Sequence, residues 1–355
     1  MSRFFSTKFS GLKAYVPGEQ PRDQEYVKLN TNESPFAPPQ SVVAAMTEEG
    51  ERAHLYSDPT CKALVEKAAE VYKVKPTQIL PVNGSDEILN FAFMAFCDEK
   101  TPAYFADITY GFYKVFAQLH RVPFRTIPLN ESFSIVPEWY FGVGGTIFIA
   151  NPNAPTGKAL ALREIESIVK NNPDNVVVVD EAYVDFGGES AVSLVDKYDN
   201  LLVTQTFSKS KSLAGARLGF GIASESLIAD LNVIKYSTNP YNVNRMTMAA
   251  GRAALCESDY YAKTCAIVQK NREYTTRKLR EMRFEVLNSK ANFVFAQSQE
   301  ISGKELYEKL KARGVLVRHF DGERIKNFVR VSIGTLRQMD IFLDSVRSIL
   351  AEKKQ

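Results

Sequence analysis

Short runs of apolar, mostly β-branched residues constrain the fold of this chain more than any other feature. They occur at Thr146 to Ala150, Val176 to Val179 and Leu201 to Thr206. The first two are followed directly by Asn and Asp, as is common for buried parallel strands. Stretches with helical spacing, at 63–72 and 87–97, precede them. We therefore predict an α/β fold on a mostly parallel sheet, with ligands at the carboxyl ends of its strands.

The two ends of the chain differ in character from its middle. Residues 1–30 are polar and rich in turn formers, including Pro17-Gly18, and predict an N-terminal arm. Residues 31–260 form the predicted large domain. In residues 261–355, strands are predicted at 284–297, 315–319 and 328–333, with helices at 303–313 and 336–353. This last part is the predicted smaller α+β domain.

Composition excludes several classes of function. Lys and Arg number 44 against 41 Asp and Glu, so the net charge of +3 does not predict a surface for nucleic acid or for an anionic membrane. The four cysteines form no CxxC pair and only three histidines accompany them, so we expect no metal site. No apolar stretch is long enough to span a bilayer. We expect a cytoplasmic enzyme with free thiols.

The run from Thr206 to Phe220 carries the strongest chemical signal. Lys209 follows the apolar strand, and Thr206, Ser208 and Arg217 supply hydroxyls and a guanidinium around it. A lysine that attacks a cofactor aldehyde must lose its proton, which a nearby cation favours, and a phosphate needs such donors. A Ser-x-Lys match alone more often marks a solvated basic loop, but the full run reverses that preference.

A carboxylate and a phenol follow the second strand, as Asp180 and Tyr183. An Asp at a strand end can keep a pyridine nitrogen protonated, so that the ring withdraws electrons from a neighbouring carbanion. Tyr183 is a candidate for contact with the ring's phenolate oxygen. Taken alone the pattern is weak, because Asp at a strand end is also a common helix cap.

Gly84, Ser85 and Asp86 come directly before an apolar helix. Backbone N–H groups at a helix start bind anions, and a glycine lets a phosphate approach closely. A plain helix cap explains these three residues equally well. Tyr110 could stack on a flat heterocycle and Tyr56 could meet a phosphate, although each tyrosine alone is more often packing.

In this order, these segments resemble the fold-type I aminotransferases, and among them the histidinol-phosphate aminotransferase branch, over nearly the whole chain. The lysine run resembles that family's S-K-x-x-x-x-A-G-x-R segment. The resemblance implies pyridoxal 5′-phosphate as cofactor, bonded to Lys209, with Asp180 on the ring nitrogen and Tyr183 on the ring oxygen. It implies further cofactor contacts from Gly84, Ser85, Tyr110, Thr206, Ser208 and Arg217, and a homodimer in which Tyr56 reaches the neighbouring subunit's cofactor phosphate. We add Asp86 and Asn153 as candidate cofactor contacts.

Four further segments carry the resemblance to this branch: 29–35, Tyr15 before Pro17-Gly18, 240–245 and 328–334. They imply substrate contacts from Tyr15, Asn32, Arg318 and Arg330. Arg330 is expected to bind the α-carboxylate of glutamate and the phosphate of histidinol phosphate, with Arg318 as its companion. The implied reaction is amino transfer between histidinol phosphate and 2-oxoglutarate, in histidine biosynthesis.

Two positions depart from the family pattern. The family usually reads N-P-T-G, whereas this chain has Asn-Pro-Asn-Ala-Pro-Thr-Gly at 151–157, which puts Ala154 where an asparagine usually meets the ring oxygen. Asn153 or Tyr183 is the candidate to compensate. Lys211 also creates a rival to Lys209, but the spacing of eight residues to Arg217 favours Lys209.

Three other functions stay open at this point. A threonine-phosphate decarboxylase of the cobalamin pathway shares the fold and the cofactor residues, and motifs separate it poorly. An aromatic or other amino-acid aminotransferase is disfavoured by Tyr15 and the pair of Arg318 and Arg330. A binding protein without catalysis would be expected to lose Lys209 or Asp180, and both are present.

Overall fold

The computed structural model describes residues 2–353, and its largest element is a seven-stranded sheet. The first strand along the chain, β1 (Val27–Lys28), lies outside this sheet. The seven are β2 (Ile79–Val82), β3 (Ala103–Ala106), β4 (Phe124–Ile127), β5 (Thr146–Ala150), β6 (Val177–Asp180), β7 (Leu201–Thr206) and β8 (Gly219–Ala223). Their order is β2-β8-β7-β6-β5-β3-β4, and only β8 runs antiparallel to its neighbours. The predicted mostly parallel sheet is confirmed.

Helices cover both faces of this sheet because successive strand residues point to opposite sides. Val177 and Val179 pack into one core with α2 (Lys62–Tyr72), α5 (Leu162–Lys170) and α7 (Arg245–Ala254). Val178 packs into a second core with α3 (Ser85–Phe96), α4 (Phe112–His120) and α6 (Glu225–Thr238). The remaining helix before α7, α1 (Gln40–Gly50), packs against α7.

The C-terminal part has its own sheet and core. It contains α8 (Ser258–Glu281), β9 (Phe284–Val286), β10 (Phe293–Ser298), α9 (Gly303–Ala312), β11 (Val315–Leu316), β12 (Arg318–His319), β13 (Phe328–Ser332) and α10 (Leu336–Glu352). Four of the strands form an antiparallel sheet in the order β12-β13-β10-β9. In addition, β1 of the arm pairs with β11. The predicted domain limits stay a prediction, since α8 runs through residue 260.

The topology brings distant polar residues to one edge of the large sheet. The strands β5, β6 and β7 are parallel neighbours, so the residues after Ala150, at Asp180 and after Thr206 lie side by side. Within residues 2–353, no helix has both the length and the apolar character that crossing a membrane requires.

Candidate active site

A cavity of about 100 Å³ lies at the carboxyl ends of β5, β6 and β7. Nine residues predicted from the sequence line it: Ser85, Asp86, Tyr110, Asp180, Tyr183, Thr206, Ser208, Lys209 and Arg217. They come from four separate segments of the chain. The fold therefore brings together most of the predicted cofactor residues.

One end of the cavity is built to hold an anion. The helix α3 begins at Ser85, and Gly84 before it has a φ of 80°, which only glycine adopts without strain. A Cβ at Gly84 would lie 2.6 Å from Nη2 of Arg217, so the guanidinium packs directly on this turn. Arg217 Nη1 donates to Ser208 Oγ at 3.4 Å, and Thr206 Oγ1 donates to the same oxygen at 3.1 Å. This donor set suits a phosphate.

The other end of the cavity holds a buried carboxylate. Asp180 accepts hydrogen bonds from the Tyr113 hydroxyl at 3.0 Å and from the Ala182 N–H at 3.3 Å. Burial raises the pKa of Asp180 to about 6, although these hydrogen bonds oppose the shift. A cationic partner in the cavity, such as a protonated ring nitrogen, would stabilise the carboxylate. Tyr113 was missed from the sequence, and its position on the buried face of α4 was the only signal.

Lys209 lines this cavity and also a second, adjoining one. Its Nζ donates to the backbone oxygen of Thr31 at 3.1 Å. Lys211 is directed elsewhere, because its Nζ lies 3.3 Å from Oδ2 of Asp185 and 5.3 Å from the ring centroid of Tyr261. The geometry therefore favours Lys209 as the reactive lysine.

The second cavity measures about 380 Å³ and is lined by Tyr15, Asn32, Tyr183, Arg318 and Arg330 among others. The guanidinium of Arg330 lies 5.4 Å from the ring centroid of Phe293 and 5.6 Å from that of Phe320. Its Nη2 donates to the backbone oxygen of Asn30 at 3.0 Å, while Nε is buried without a hydrogen-bond partner. Burial lowers the pKa of Arg330. In the described part of the chain no carboxylate pairs with it, and so it is suited to an anionic ligand.

Part of the arm lines this second cavity, through Tyr15, Val16, Gly18 and Asn30. Arg318 donates from Nη1 to the backbone oxygen of Pro17 at 3.1 Å and from Nη2 to that of Val16 at 3.0 Å. The Tyr15 ring packs on Phe112, with 4.3 Å between the centroids. Arg318 thus lines the cavity, with its donors bound to the arm, and its contact with substrate stays a prediction.

Asn32 holds the phenol of Tyr183. Its Nδ2 donates to the Tyr183 oxygen at 3.0 Å, and its Oδ1 accepts from Ser332 Oγ at 2.8 Å. Its backbone has a φ of 57°, and the Asn292 amide donates to its carbonyl at 3.0 Å. Asn32 is therefore placed by contacts with residues near the other end of the sequence.

The position of Asn153 differs from the expectation that this residue contacts the cofactor. It does not line the first cavity, because its Oδ1 accepts from Thr109 Oγ1 at 2.7 Å and its Nδ2 donates to the Ile108 carbonyl and to Thr156 Oγ1, each at 3.0 Å. Both halves of the amide are engaged within the chain. Ala154 lines the cavity instead, so Tyr183 remains the candidate for the ring-oxygen contact.

Tyr56 lies away from both cavities of this subunit. Its side chain is 80% exposed, and its ring stacks on Tyr241 with 4.6 Å between the centroids. Arg245 Nη1 holds the Tyr56 backbone oxygen at 2.9 Å. The Tyr56 side chain is therefore exposed to solvent, while a hydrogen bond from Arg245 fixes its backbone.

Comparison with known proteins gives consistent matches. Residues 24–346 match the family model for aminotransferases of class I and II. The histidinol-phosphate aminotransferase of Brachyspira hyodysenteriae is 47% identical over 352 residues, covering 99% of each chain. That of Clostridium beijerinckii is 44% identical over 357 residues, covering 100% of this chain and 99% of the other.

A solved structure shares the fold. The histidinol-phosphate aminotransferase from Sinorhizobium meliloti, in complex with pyridoxal 5′-phosphate, superposes with a TM-score of 0.90 over 99% of each chain. Its sequence is 21% identical to this one, so the likeness concerns the fold.

Proposed function

Because this chain belongs to the class I and II aminotransferase family, we propose that it transfers an amino group between histidinol phosphate and 2-oxoglutarate. The products in this direction are imidazole acetol phosphate and glutamate, and histidine biosynthesis uses the reverse direction. Relatives with this activity in their names are 44% and 47% identical over nearly the whole chain. The amino donor and the 2-oxo acid are both small molecules.

The buried Arg330 is the structural observation that carries the proposal. Residues 2–353 supply no carboxylate partner for this guanidinium, which lines the same cavity as Lys209, so an anionic substrate suits it. The amino donors of the two half-reactions each supply an anion, as a carboxylate on glutamate and a phosphate on histidinol phosphate. Arg330 would bind each in its own half-reaction.

The cofactor of the enzyme is pyridoxal 5′-phosphate. When bound, it supplies an aldehyde that takes up amino groups and a ring that draws electrons from the substrate's Cα. The donor set around Gly84 and Arg217 fits its phosphate, and Asp180 at the other end fits its ring nitrogen. We assign the phosphate contacts to Gly84, Ser85, Thr206, Ser208 and Arg217.

In the proposed mechanism Lys209 has two roles. Its Nζ would bind the cofactor through the aldehyde, and as a free amine it would move the proton at the substrate's Cα. The Thr31 carbonyl, 3.1 Å away, keeps Nζ at the junction of the two cavities. Asp180 would keep the ring nitrogen protonated, and the Tyr183 hydroxyl, fixed by Asn32, would be the partner of the ring oxygen. Tyr15, Val16 and Gly18 of the arm form part of the wall of the larger cavity.

We also propose that the working form is a homodimer in the cytoplasm. The exposed Tyr56, on a segment tethered by Arg245, is suited to reach the phosphate site of a second copy. All four cysteines are free, as expected for a reducing compartment.

One assay tests the proposed activity against its alternatives. Three parallel reactions each contain the enzyme, 2-oxoglutarate and one amino compound: histidinol phosphate, threonine phosphate or phenylalanine. Glutamate and carbon dioxide are measured in each reaction. We expect glutamate to form fastest with histidinol phosphate, without carbon dioxide, and the Lys209→Ala variant to form none. Release of carbon dioxide from threonine phosphate, or a preference for phenylalanine, would overturn the proposal.

A further inference from the structure

Asp86 places a negative charge beside the anion-binding end of the first cavity. It follows Ser85 at the start of α3 and lines the cavity wall. Its Oδ1 accepts the hydroxyl hydrogen of Tyr110 at 2.7 Å, and its Oδ2 lies 3.3 Å from Nη2 of Arg217. One carboxylate thus connects a ring and a guanidinium that come from two other segments of the chain.

The charge of Asp86 does not help to attract a phosphate. Like charges repel, so a carboxylate near a phosphate weakens its binding, whereas an uncharged amide would not. The same charge also contributes to raising the pKa of Asp180 at the other end of the cavity. An explanation for Asp86 must therefore come from what it holds in place.

Both groups held by Asp86 need an anchor. Arg217 has a long side chain that is 46% exposed, and it packs on Gly84, where no side chain exists to confine it. Tyr110 borders both cavities, so the plane of its ring shapes the space in each. Burial and the neighbouring carboxylate raise the pKa of Tyr110, which keeps its hydroxyl a hydrogen-bond donor. Groups fixed before a ligand binds lose less entropy on binding.

We propose that Asp86 is a positioning residue, which fixes the Arg217 guanidinium and the Tyr110 ring in the arrangement that binds the cofactor, and whose carboxylate makes no contact with the phosphate. The inference rests on the proposed assignment of this cavity to the cofactor. It differs from the earlier expectation that Asp86 is itself a cofactor ligand.

The sign of one effect tests this proposal. Pyridoxamine 5′-phosphate, which has no aldehyde to react with Lys209, is titrated calorimetrically into cofactor-free wild-type enzyme and the Asp86→Asn variant. Removal of a charge alone would strengthen binding. Loss of the Arg217 contact should instead weaken it, by about tenfold. Glu99→Gln, which removes a charge just beyond the other end of α3, is the matched control and should leave the affinity unchanged.

The Tyr110→Phe variant tests the same proposal if Asp86→Asn folds poorly. Tyr110→Phe retains the ring and loses the hydroxyl. It should weaken binding by a smaller factor and change the near-ultraviolet circular dichroism of the bound pyridoxamine 5′-phosphate. In the double variant, Tyr110→Phe should cost less binding free energy than it does alone, because both changes break the hydrogen bond between Asp86 and Tyr110. Unchanged or tighter binding by Asp86→Asn, or by Tyr110→Phe, would overturn the proposal. If the wild-type enzyme binds no pyridoxamine 5′-phosphate, the cofactor assignment itself fails.

Discussion

Two lysines only two positions apart have opposite surroundings, and this difference can be tested directly. Lys209 lines both cavities, whereas Lys211 pairs with Asp185. We predict that Lys209→Ala abolishes covalent attachment of the cofactor and turnover, and that Lys211→Ala retains both. Borohydride reduction followed by peptide mass spectrometry measures the attachment. A reduced cofactor found on Lys211 would contradict the assignment.

Arg330 should bind the anion of both substrates. Arg330→Ala is expected to weaken the binding of glutamate and of histidinol phosphate alike. A lost charge-assisted contact to a buried anion costs on the order of 2–4 kcal/mol. That corresponds to roughly one and a half to three decades in kcat/KM. Steady-state kinetics with each substrate measures it, and an unchanged kcat/KM for glutamate would exclude the shared role.

Arg318→Ala separates the second arginine from the first. A phosphate has more oxygens that need hydrogen bonds than a carboxylate has. Loss of the Arg318 side chain should therefore lower kcat/KM mainly for histidinol phosphate. Arg318 also holds the arm through the Val16 and Pro17 carbonyls, so the arm should become more sensitive to proteolysis in this variant. Equal losses for both substrates would place Arg318 in the same role as Arg330.

Asp180 should make the stability of the cofactor-free enzyme depend on pH. Its pKa in the folded state is raised to about 6, so the folded state binds the proton more tightly than the unfolded chain. The ionised form therefore costs stability above about pH 6, on the order of 3 kcal/mol, and this cost disappears below about pH 4. In urea denaturation, the unfolding free energy of Asp180→Asn minus that of the wild type should therefore increase as the pH is raised from about 4 to about 6. A difference independent of pH would contradict the assignment.

At the level of elements, the start of α3 depends on a missing side chain. Gly84→Ala would place a Cβ 2.6 Å from Arg217 Nη2, at a φ of 80° that costs about 1–3 kcal/mol in other residues. The arginine can move aside, so we expect cofactor affinity to fall by at least about tenfold, beyond any loss of stability. Gly215→Ala is the control, because a Cβ there meets no atom within 4 Å. Equal affinities in the two variants would show that the turn does not set the phosphate site.

The arm is an element whose position the sequence predicted only in outline. Its strand β1 pairs with β11 of the C-terminal part, and Lys311 and Tyr307 of α9 bind the carboxylate of Glu19. Arg318 then holds the next stretch over the second cavity. The arm is thus attached to the C-terminal sheet and helices along much of its length, and we expect movements of that part to carry the arm with them.

For the whole molecule, the proposed dimer predicts that two inactive variants restore each other. In a mixed dimer of Lys209→Ala and Tyr56→Ala subunits, one site combines an intact Lys209 with the partner subunit's intact Tyr56. We expect activity to appear when the two purified variants are mixed, partly unfolded and refolded together. Refolding each variant alone is the control. Absence of any gain on mixing, despite formation of mixed dimers, would show that Tyr56 acts within its own subunit.

The sequence determined the sheet and the chemical centre of the site. Short apolar runs that are rich in β-branched residues and separated by helical stretches favour buried strands, so β5, β6 and β7 could be predicted from local pattern. The polar residues after them had to meet at one edge because parallel strands share their direction. The spacing between Lys209 and Arg217 is likewise local, since both lie in one short loop that begins at the end of β7.

The tertiary structure decided which polar groups are bound to each other. Asn32 and Ser332 are 300 residues apart, and no local pattern indicates that they join to hold Tyr183. The amide of Asn153 turned away from the cavity because Thr109 and Ile108, 44 and 45 residues earlier, supply its partners. Burial follows from periodicity along the chain, but hydrogen bonds depend on distances between atoms that only the packed fold brings together.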